Sequence, residues 1–339
     1  MSSACDTFKG LHIHPTRQCN LRCIHCYSSS APEERDHLDP ALLLGAITDA
    51  SEQGYNLASF SGGEPLLYKP LGRLLDHARR CGMTTTVTSN GMLLDERRLE
   101  VLRGRVDVLA ISLDGVPESH NRMRASGEAF EKMSSRLEGV RESGIPFGFI
   151  FTLTQYNLGE LEWVANFALE QGARLLQIHP LEEAGRAGET MADSKPDELE
   201  SAYTFLEVAR IRTLVGDRML IQLDLADRDL IREDPSSVFA GEPSPDYISR
   251  PLADLVSPLV IEADATVVPV GYWFARRYAL GNLHSSTLSE LAGAWRRDLY
   301  PAFRDLCSNV YRAVTAPADF PFTNWYEALA VAAESPPAR

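Results

Sequence analysis

The sequence has no run of 18 apolar residues, so it offers no transmembrane helix. Basic charge is scarce. Lys+Arg number 33 against 47 Asp+Glu, a formal net charge of −14, and only four of the basic residues are lysine (Lys9, Lys69, Lys132, Lys195). A nucleic-acid binder needs a net basic footprint, and none is present. The opening MSSACDTFKG lacks the charged and apolar regions of a signal peptide. A cytosolic setting is therefore expected, where thiols stay reduced. Cysteine is scarce as well: six in 339 residues do not make a disulfide scaffold. Solenoid repeats and low-complexity segments are missing. What remains is ordinary globular composition, 44% hydrophobic and 24% charged. The length suits one large domain, or a large one with a small one.

Apolar runs alternate with amphipathic stretches over the first two-thirds of the chain. Strands are expected at Gly10–His14, Leu57–Phe60, Thr84–Thr88, Val106–Leu113, Phe147–Leu153 and Leu175–His179. Helices are expected near Pro40–Gln53, Leu71–Arg80, Glu96–Arg103, Ala129–Glu142 and Leu158–Glu170, several followed by a capping glycine such as Gly54 or Gly144. The alternation predicts an α/β fold, a partial (β/α)6 TIM-like barrel whose active site lies at the C-terminal strand ends. Pro180–Pro196 reads as a loop before a helix reaching about Leu214. The domain expectation is a tail over 1–7, a core over 8–215, a connection over 216–250, a small α+β extension over 251–330 and a frayed tail over 331–339. The extension opens with a hairpin, Leu259–Ala263 and Val267–Val270, and continues in helices near Leu288–Trp295 and Tyr300–Val314.

Three of the cysteines, Cys19, Cys23 and Cys26, follow the first strand at C-x3-C-x2-C spacing. Structural zinc wants a fourth protein ligand, and His25 is the nearest one. A redox C-x-x-C leaves Cys19 unexplained. An iron–sulfur cube takes four thiolates, so three leave one iron open to bind a ligand directly.

The stretch His14–Ser28 resembles the cluster loop of radical S-adenosylmethionine (SAM) enzymes. Ser61–Pro65 (SGGEP) resembles that family's GGEP motif, and Ser89-Asn90-Gly91, Ile111–Gly115 and His179-Pro180-Leu181 fall at later strand ends. The resemblance implies one [4Fe-4S] cluster on Cys19, Cys23 and Cys26, with SAM on the open iron. It implies reductive cleavage of SAM to a 5′-deoxyadenosyl radical, driven by an external flavodoxin- or ferredoxin-type reductant. Gly62 and Gly63 would let backbone approach the methionine moiety, and Glu64 would accept from its ammonium. Asn90, Ser112 and Asp114 would bond ribose or carboxylate, Arg124 would pair with a carboxylate, and Tyr27 would lie against adenine. His179 is a further cofactor-side candidate. His12 and His14 share a face of the first strand and read as core or barrel-lining residues.

Pro258–Val270 with Leu280–Trp295 resembles the SPASM or twitch extension of many family members. Those extensions usually carry cysteines for auxiliary clusters, but here Val270 follows Pro269 and only Cys307 lies downstream. The expectation is a degenerate extension without iron. A redox-neutral outcome then becomes attractive: epimerisation, rearrangement or decarboxylation. Cys307 is a candidate hydrogen donor, with Cys81 (better read as structural) and Cys5 behind it. The substrate expected is a natural product, either a peptide or a small molecule. Because the barrel begins about ten residues from Met1, a peptide would need a separate recognition protein. The alternatives are a sugar, nucleoside or cofactor-precursor enzyme, and a non-catalytic iron–sulfur regulator. Glu182-Glu183 and Gly185-Arg186 read equally as substrate contacts or as solvated loop.

Overall fold

The computed structural model describes residues 8–241, 245–318 and 320–334. The expected 1–7 tail with Cys5, and residues 335–339, lie outside the described residues.

Among the described residues twelve strands form. They are β1 Gly10–Ile13, β2 Leu57–Phe60, β3 Thr84–Ser89, β4 Val108–Ser112, β5 Phe147–Leu153, β6 Leu175–Pro180, β7 Leu220–Leu223, β8 Ala226–Asp227, β9 Leu259–Ile261, β10 Thr266–Pro269, β11 Gly281–Asn282 and β12 Phe322–Thr323. The helices are α1 Pro40–Glu52, α2 Leu71–Arg80, α3 Glu96–Leu102, α4 Pro117–Met123, α5 Ala129–Ser134, α6 Leu137–Ser143, α7 Leu161–Glu170, α8 Arg186–Thr190, α9 Glu198–Val215, α10 Arg228–Glu233, α11 Leu288–Asp298, α12 Tyr300–Val314 and α13 Trp325–Glu334.

Ten strands make one sheet in the order β11-β10-β9-β1-β2-β3-β4-β5-β6-β7. From β9 to β7 every pair is parallel. Parallel strands need crossovers, and here those are helices capped where the sequence supplies a cap. Asp39 accepts from the Ala41 N–H ahead of α1, Asp95 caps α3, and Asp197 with Glu200 forms a capping box on α9. Because β1 to β7 run the same way, their C-terminal ends share one edge.

Three expectations change. The 216–250 connection holds a seventh parallel strand, β7, in register with β6 from Leu175↔Leu220 to Ile178↔Leu223, and the helix α10. The single helix over Ala129–Glu142 is two, α5 and α6. Ser134 and Ser135 turn their hydroxyls back onto the carbonyls of Glu131 and Lys132, an alternative to continuing the helix. The hairpin after Pro258 does not stand apart. β9 lies beside β1 in register from Leu11↔Leu259 to Ile13↔Ile261, so the hairpin extends the barrel sheet. Tyr55 Oη donates to Val256 O at 2.9 Å across the same seam. Shorter departures also occur: α8 lies inside the expected Pro180–Pro196 loop, and α13 continues through 331–334.

Candidate cluster and cofactor site

The cysteine loop leaves β1 and folds back on itself. Thr16 Oγ1 donates to Asp36 O at 2.7 Å and Cys19 N–H donates to Ala31 O at 3.2 Å. Cys19 and Cys23 are both 8% exposed and pack with Leu21, while Cys26 is half-buried beside them. Each sulfur has a hydrogen-bonding neighbour. Leu21 N–H and Asn90 Nδ2 reach Cys19 Sγ at 3.4 and 3.9 Å. Arg124 Nη1 reaches Cys23 Sγ at 3.8 Å, and the Ser28 hydroxyl lies 3.4 Å from Cys26 Sγ. Burial pushes the Cys19 thiol up to about 12 and raises Cys23 too, so the charge of a bound metal is needed to ionise them. Among the described residues no three or more His, Cys, Asp or Glu side chains sit close enough to share a single metal ion. A cubane is wider than an ion and does not ask its thiolates to converge. His25, the zinc alternative, turns away: Nδ1 donates to Met123 O at 3.1 Å and Nε2 lies 3.9 Å from Asp114.

The glycine pair after β2 is dictated by the cysteine loop. A Cβ on Gly63 would stand 2.2 Å from Gln18 O, and one on Gly62, at φ +102°, 2.9 Å from Thr16 O. Gly63 N–H donates to Thr16 O and Glu64 N–H to Gln18 O, each at 2.9 Å. The close approach these glycines permit is therefore to the chain's own cluster loop.

Glu64 is fully buried and its carboxylate is used internally. Oε1 accepts from Leu66 N–H at 3.1 Å, and Oε2 accepts from Ser89 Oγ at 3.1 Å and Asn90 N–H at 3.0 Å. It ties the ends of β2 and β3 together. Asn90 turns its amide to Asn20 Oδ1 at 2.8 Å and toward Cys19. Ser112 ends β4 with 8% exposure. The carboxylate expected for Arg124 is found within the chain: Nε donates to Asp114 Oδ2 at 2.6 Å.

Tyr27 places its hydroxyl 3.5 Å from Ser61 Oγ and packs edge-on to Tyr272 at 5.7 Å. His14, 3% exposed, stacks on Tyr272 at 4.6 Å and bonds Ser61 through Nε2, leaving a buried Nδ1 without a partner. Burial holds His14 at about 3 and His12 at about 4, so both are neutral imidazoles. His179, at the end of β6, sits between two carboxylates, Asp224 Oδ2 at 2.9 Å and Glu182 Oε1 at 3.2 Å. Burial works against its charge, but those two bonds outweigh it and raise His179 to about 10.

Gly185-Arg186, read equally as a substrate contact or as solvated loop, packs on the cysteine loop. Arg186 Nη1 and Nη2 donate to Cys23 O and Ser30 O at 2.8 and 2.9 Å, and its N–H donates to Cys26 O at 3.0 Å. The loop after β6 thus clamps the cysteine loop. Cys307, 0% exposed, lies in the same apolar core as Phe303, Leu306 and Val310, and burial raises its thiol to about 12. That is a packing position; the expected hydrogen donor finds no support there. Cys81, half-buried, packs against the core from the end of α2. Residues that sequence reasoning missed are Asp224, hidden just after β7, Glu262 in the turn of the hairpin, and Tyr272 and Trp273 beyond it. A cavity of about 450 Å³ opens beside Pro180, lined among others by Lys195, Arg228, Phe322 and Glu327. No helix among the described residues is long and apolar enough to cross a membrane.

The radical SAM superfamily description matches residues 13–168, which run from the end of β1 into α7 and include the cysteine loop, the glycine pair and Arg124. Residues 13–168 are a radical SAM superfamily match. The chain is 29% identical over 201 residues to the Fe-coproporphyrin III synthase of Methanosarcina barkeri, covering 59% of itself and 50% of that protein. It is 26% identical over 229 residues to a PqqA peptide cyclase of Xanthomonas campestris, covering 67% and 60%. It therefore spans half to three-fifths of the length of these relatives. In fold it is similar to Streptococcus suis SuiB bound to S-adenosylmethionine, with TM-score 0.69, 17% identity, and coverage of 88% of this chain and 68% of that one. The family's cofactors are a [4Fe-4S] cluster and SAM. Three sulfurs, two buried and one half-buried, each with a hydrogen-bonding neighbour, suit such a cluster, and the unpartnered Asp114 Oδ1 beside them is a polar atom awaiting company.

Proposed function

We propose that this chain is a radical SAM enzyme that holds one cluster on Cys19, Cys23 and Cys26 and abstracts a hydrogen atom from a natural-product substrate. Held there, the cluster would supply the one-electron reduction that cleaves SAM. The observation that carries the reading is the cysteine loop itself, with its sulfurs bonded by Asn90, Arg124 and Ser28 and its backbone clamped by Gly63 and Arg186. Tyr27, Gly62, Gly63, Asn90, Ser112, Asp114, Arg124 and His179 are the proposed cofactor side of the site, where Glu64 shapes the wall. The reducing electron comes from an external flavodoxin- or ferredoxin-type donor.

A peptide substrate is supported by two proteins this chain resembles, a PqqA peptide cyclase and SuiB, which has been solved with its precursor peptide SuiA. A cofactor-precursor substrate is the second reading, favoured by the likeness to Fe-coproporphyrin III synthase. With Cys307 in the core, the described residues offer no set of four further thiolates for a second cluster, which favours a redox-neutral outcome.

The test is anaerobic reconstitution. About four irons per chain and 5′-deoxyadenosine on adding SAM and dithionite are expected, both lost when the three cysteines become alanine. About eight irons would defeat the single-cluster reading. Cluster formation without any 5′-deoxyadenosine would favour a regulatory protein.

A further inference from the structure

We propose that Asp114 is a positioning residue that holds the Arg124 guanidinium against the Cys23 sulfur, and that this pair sets the reduction potential of the cluster. The inference rests on the cluster reading above and adds to it.

Three buried groups stand in line. Asp114, just past β4, is 0% exposed; Arg124, ending α4, is 8% exposed; Cys23 is also 8% exposed. Arg124 Nε donates to Asp114 Oδ2 at 2.6 Å while Nη1 reaches Cys23 Sγ at 3.8 Å. One planar fork thus bonds a carboxylate with one nitrogen and a sulfur with another.

The carboxylate is itself held in place. Asp114 N–H donates to His120 Nδ1 at 3.2 Å, and its carbonyl accepts from Asn157 Nδ2 at 3.0 Å. Two imidazoles flank Oδ2, His120 at 3.8 Å and His25 at 3.9 Å.

A buried guanidinium without a partner is costly, so Asp114 lets the cation exist there. The pair is neutral in sum but ordered in space, with its positive end on the sulfur. Reducing the cluster adds one negative charge to it. A cation and an N–H beside a ligand sulfur stabilise that added charge, and hydrogen bonds to sulfur are among the factors that set such potentials. Poor screening in the interior lets the effect reach the irons. Arg124 therefore raises the potential and eases the entry of the electron from the external donor.

The experiment is potentiometric EPR of the reconstituted full chain without SAM. The double variant R124Q/D114N replaces the ion pair with a neutral one of similar shape and leaves no lone buried charge. It should keep its iron, with a more negative midpoint: up to about tenfold less reduced cluster at fixed ambient potential, or about 59 mV. R124K, which keeps the charge but not the fork, should fall between. D114N alone separates positioning from charge. Losing a negative charge would by itself raise the potential, whereas release of Arg124 from the sulfur lowers it, and a fall is expected. Wild-type midpoints in the double variant and R124K, or a rise in D114N, overturn the inference. Wild-type protein that takes up no cluster overturns the earlier reading instead.

Discussion

The indole N–H of Trp273 donates to the carbonyl oxygen of Tyr27 at 2.8 Å, joining the segment after the hairpin to the residue that follows the last cluster cysteine. The backbone is bent to make this contact. Val270 and Trp273 take φ of +71° and +64°, a region that costs non-glycine residues about 1–3 kcal/mol each. Glu262, 1% exposed, holds the bend by accepting from Trp273 N–H at 2.6 Å and pairing with Arg276. The extension therefore meets the cluster loop through aromatic side chains, three residues past Val270, which stands where such extensions usually carry a cysteine.

Trp273→Phe keeps a ring and removes the donor. The Tyr27 carbonyl loses a partner, at about 1 kcal/mol in stability. A drop of that size in denaturant unfolding, with weaker SAM binding to reconstituted protein, is the expected result. Unchanged SAM affinity would confine Trp273 to a structural role.

Gly63→Ala tests the seat of the cysteine loop. Its Cβ would meet Gln18 O at 2.2 Å, a backbone atom that cannot step aside without moving Cys19. The variant should fold and lose most of its iron, read as iron per chain after reconstitution. Gly45→Ala is the control: it lies within α1 with nothing within 4 Å of the new Cβ, and should stabilise by about 1 kcal/mol with full iron. Full iron in the Gly63 variant would show that the loop has slack the distances deny.

Cys307→Ala separates core packing from hydrogen donation. Trimming a buried side chain costs about 1 kcal/mol through the cavity it leaves. Thermal stability should fall by that amount, while iron content and 5′-deoxyadenosine yield hold. Lost product with intact stability would restore Cys307 as a donor.

The residues legible in the sequence were those whose role is local. Three cysteines within eight positions, a glycine pair just after a strand and Asn90-Gly91 at the next strand end need only spacing and strand–helix alternation to be noticed. What stayed hidden depends on which loop lies over which. Arg186 reads equally as a substrate contact or a solvated loop residue, and only the turn after β6 shows it folded onto the Cys23 and Ser30 carbonyls. Strand β7, LIQL, alternates exposed with buried residues over only four positions, too short a pattern to separate from loop, and Asp224 went unseen with it. Glu64 and Asn90 lie at the ends of β2 and β3 beside the cysteine loop and bond to each other and to Asn20. Spacing identified polar groups near the cluster, but only the fold shows them spending their bonds on each other.

His179 predicts a pH dependence with a definite sign. Folding raises it from an ordinary 6.5 to about 10 through its bonds to Asp224 and Glu182. A group raised on folding contributes its full stability below its unfolded value and loses it as pH climbs through the folded one. The stabilisation is therefore complete below about 6.5 and fades on the way to about 10. Glu182 and Asp224 are both held below the ordinary carboxylate range, although burial opposes this, so their share is present above that range and fades as pH falls through their lowered values. His179→Gln keeps hydrogen-bonding capacity and removes the charge. Denaturant midpoints measured across the alkaline window should fall with pH in the wild type more steeply than in the variant, with the largest difference at the neutral end. Equal slopes would mean that the imidazole is not charged between its two carboxylates, and the end of β6 would then carry a neutral histidine at the barrel mouth.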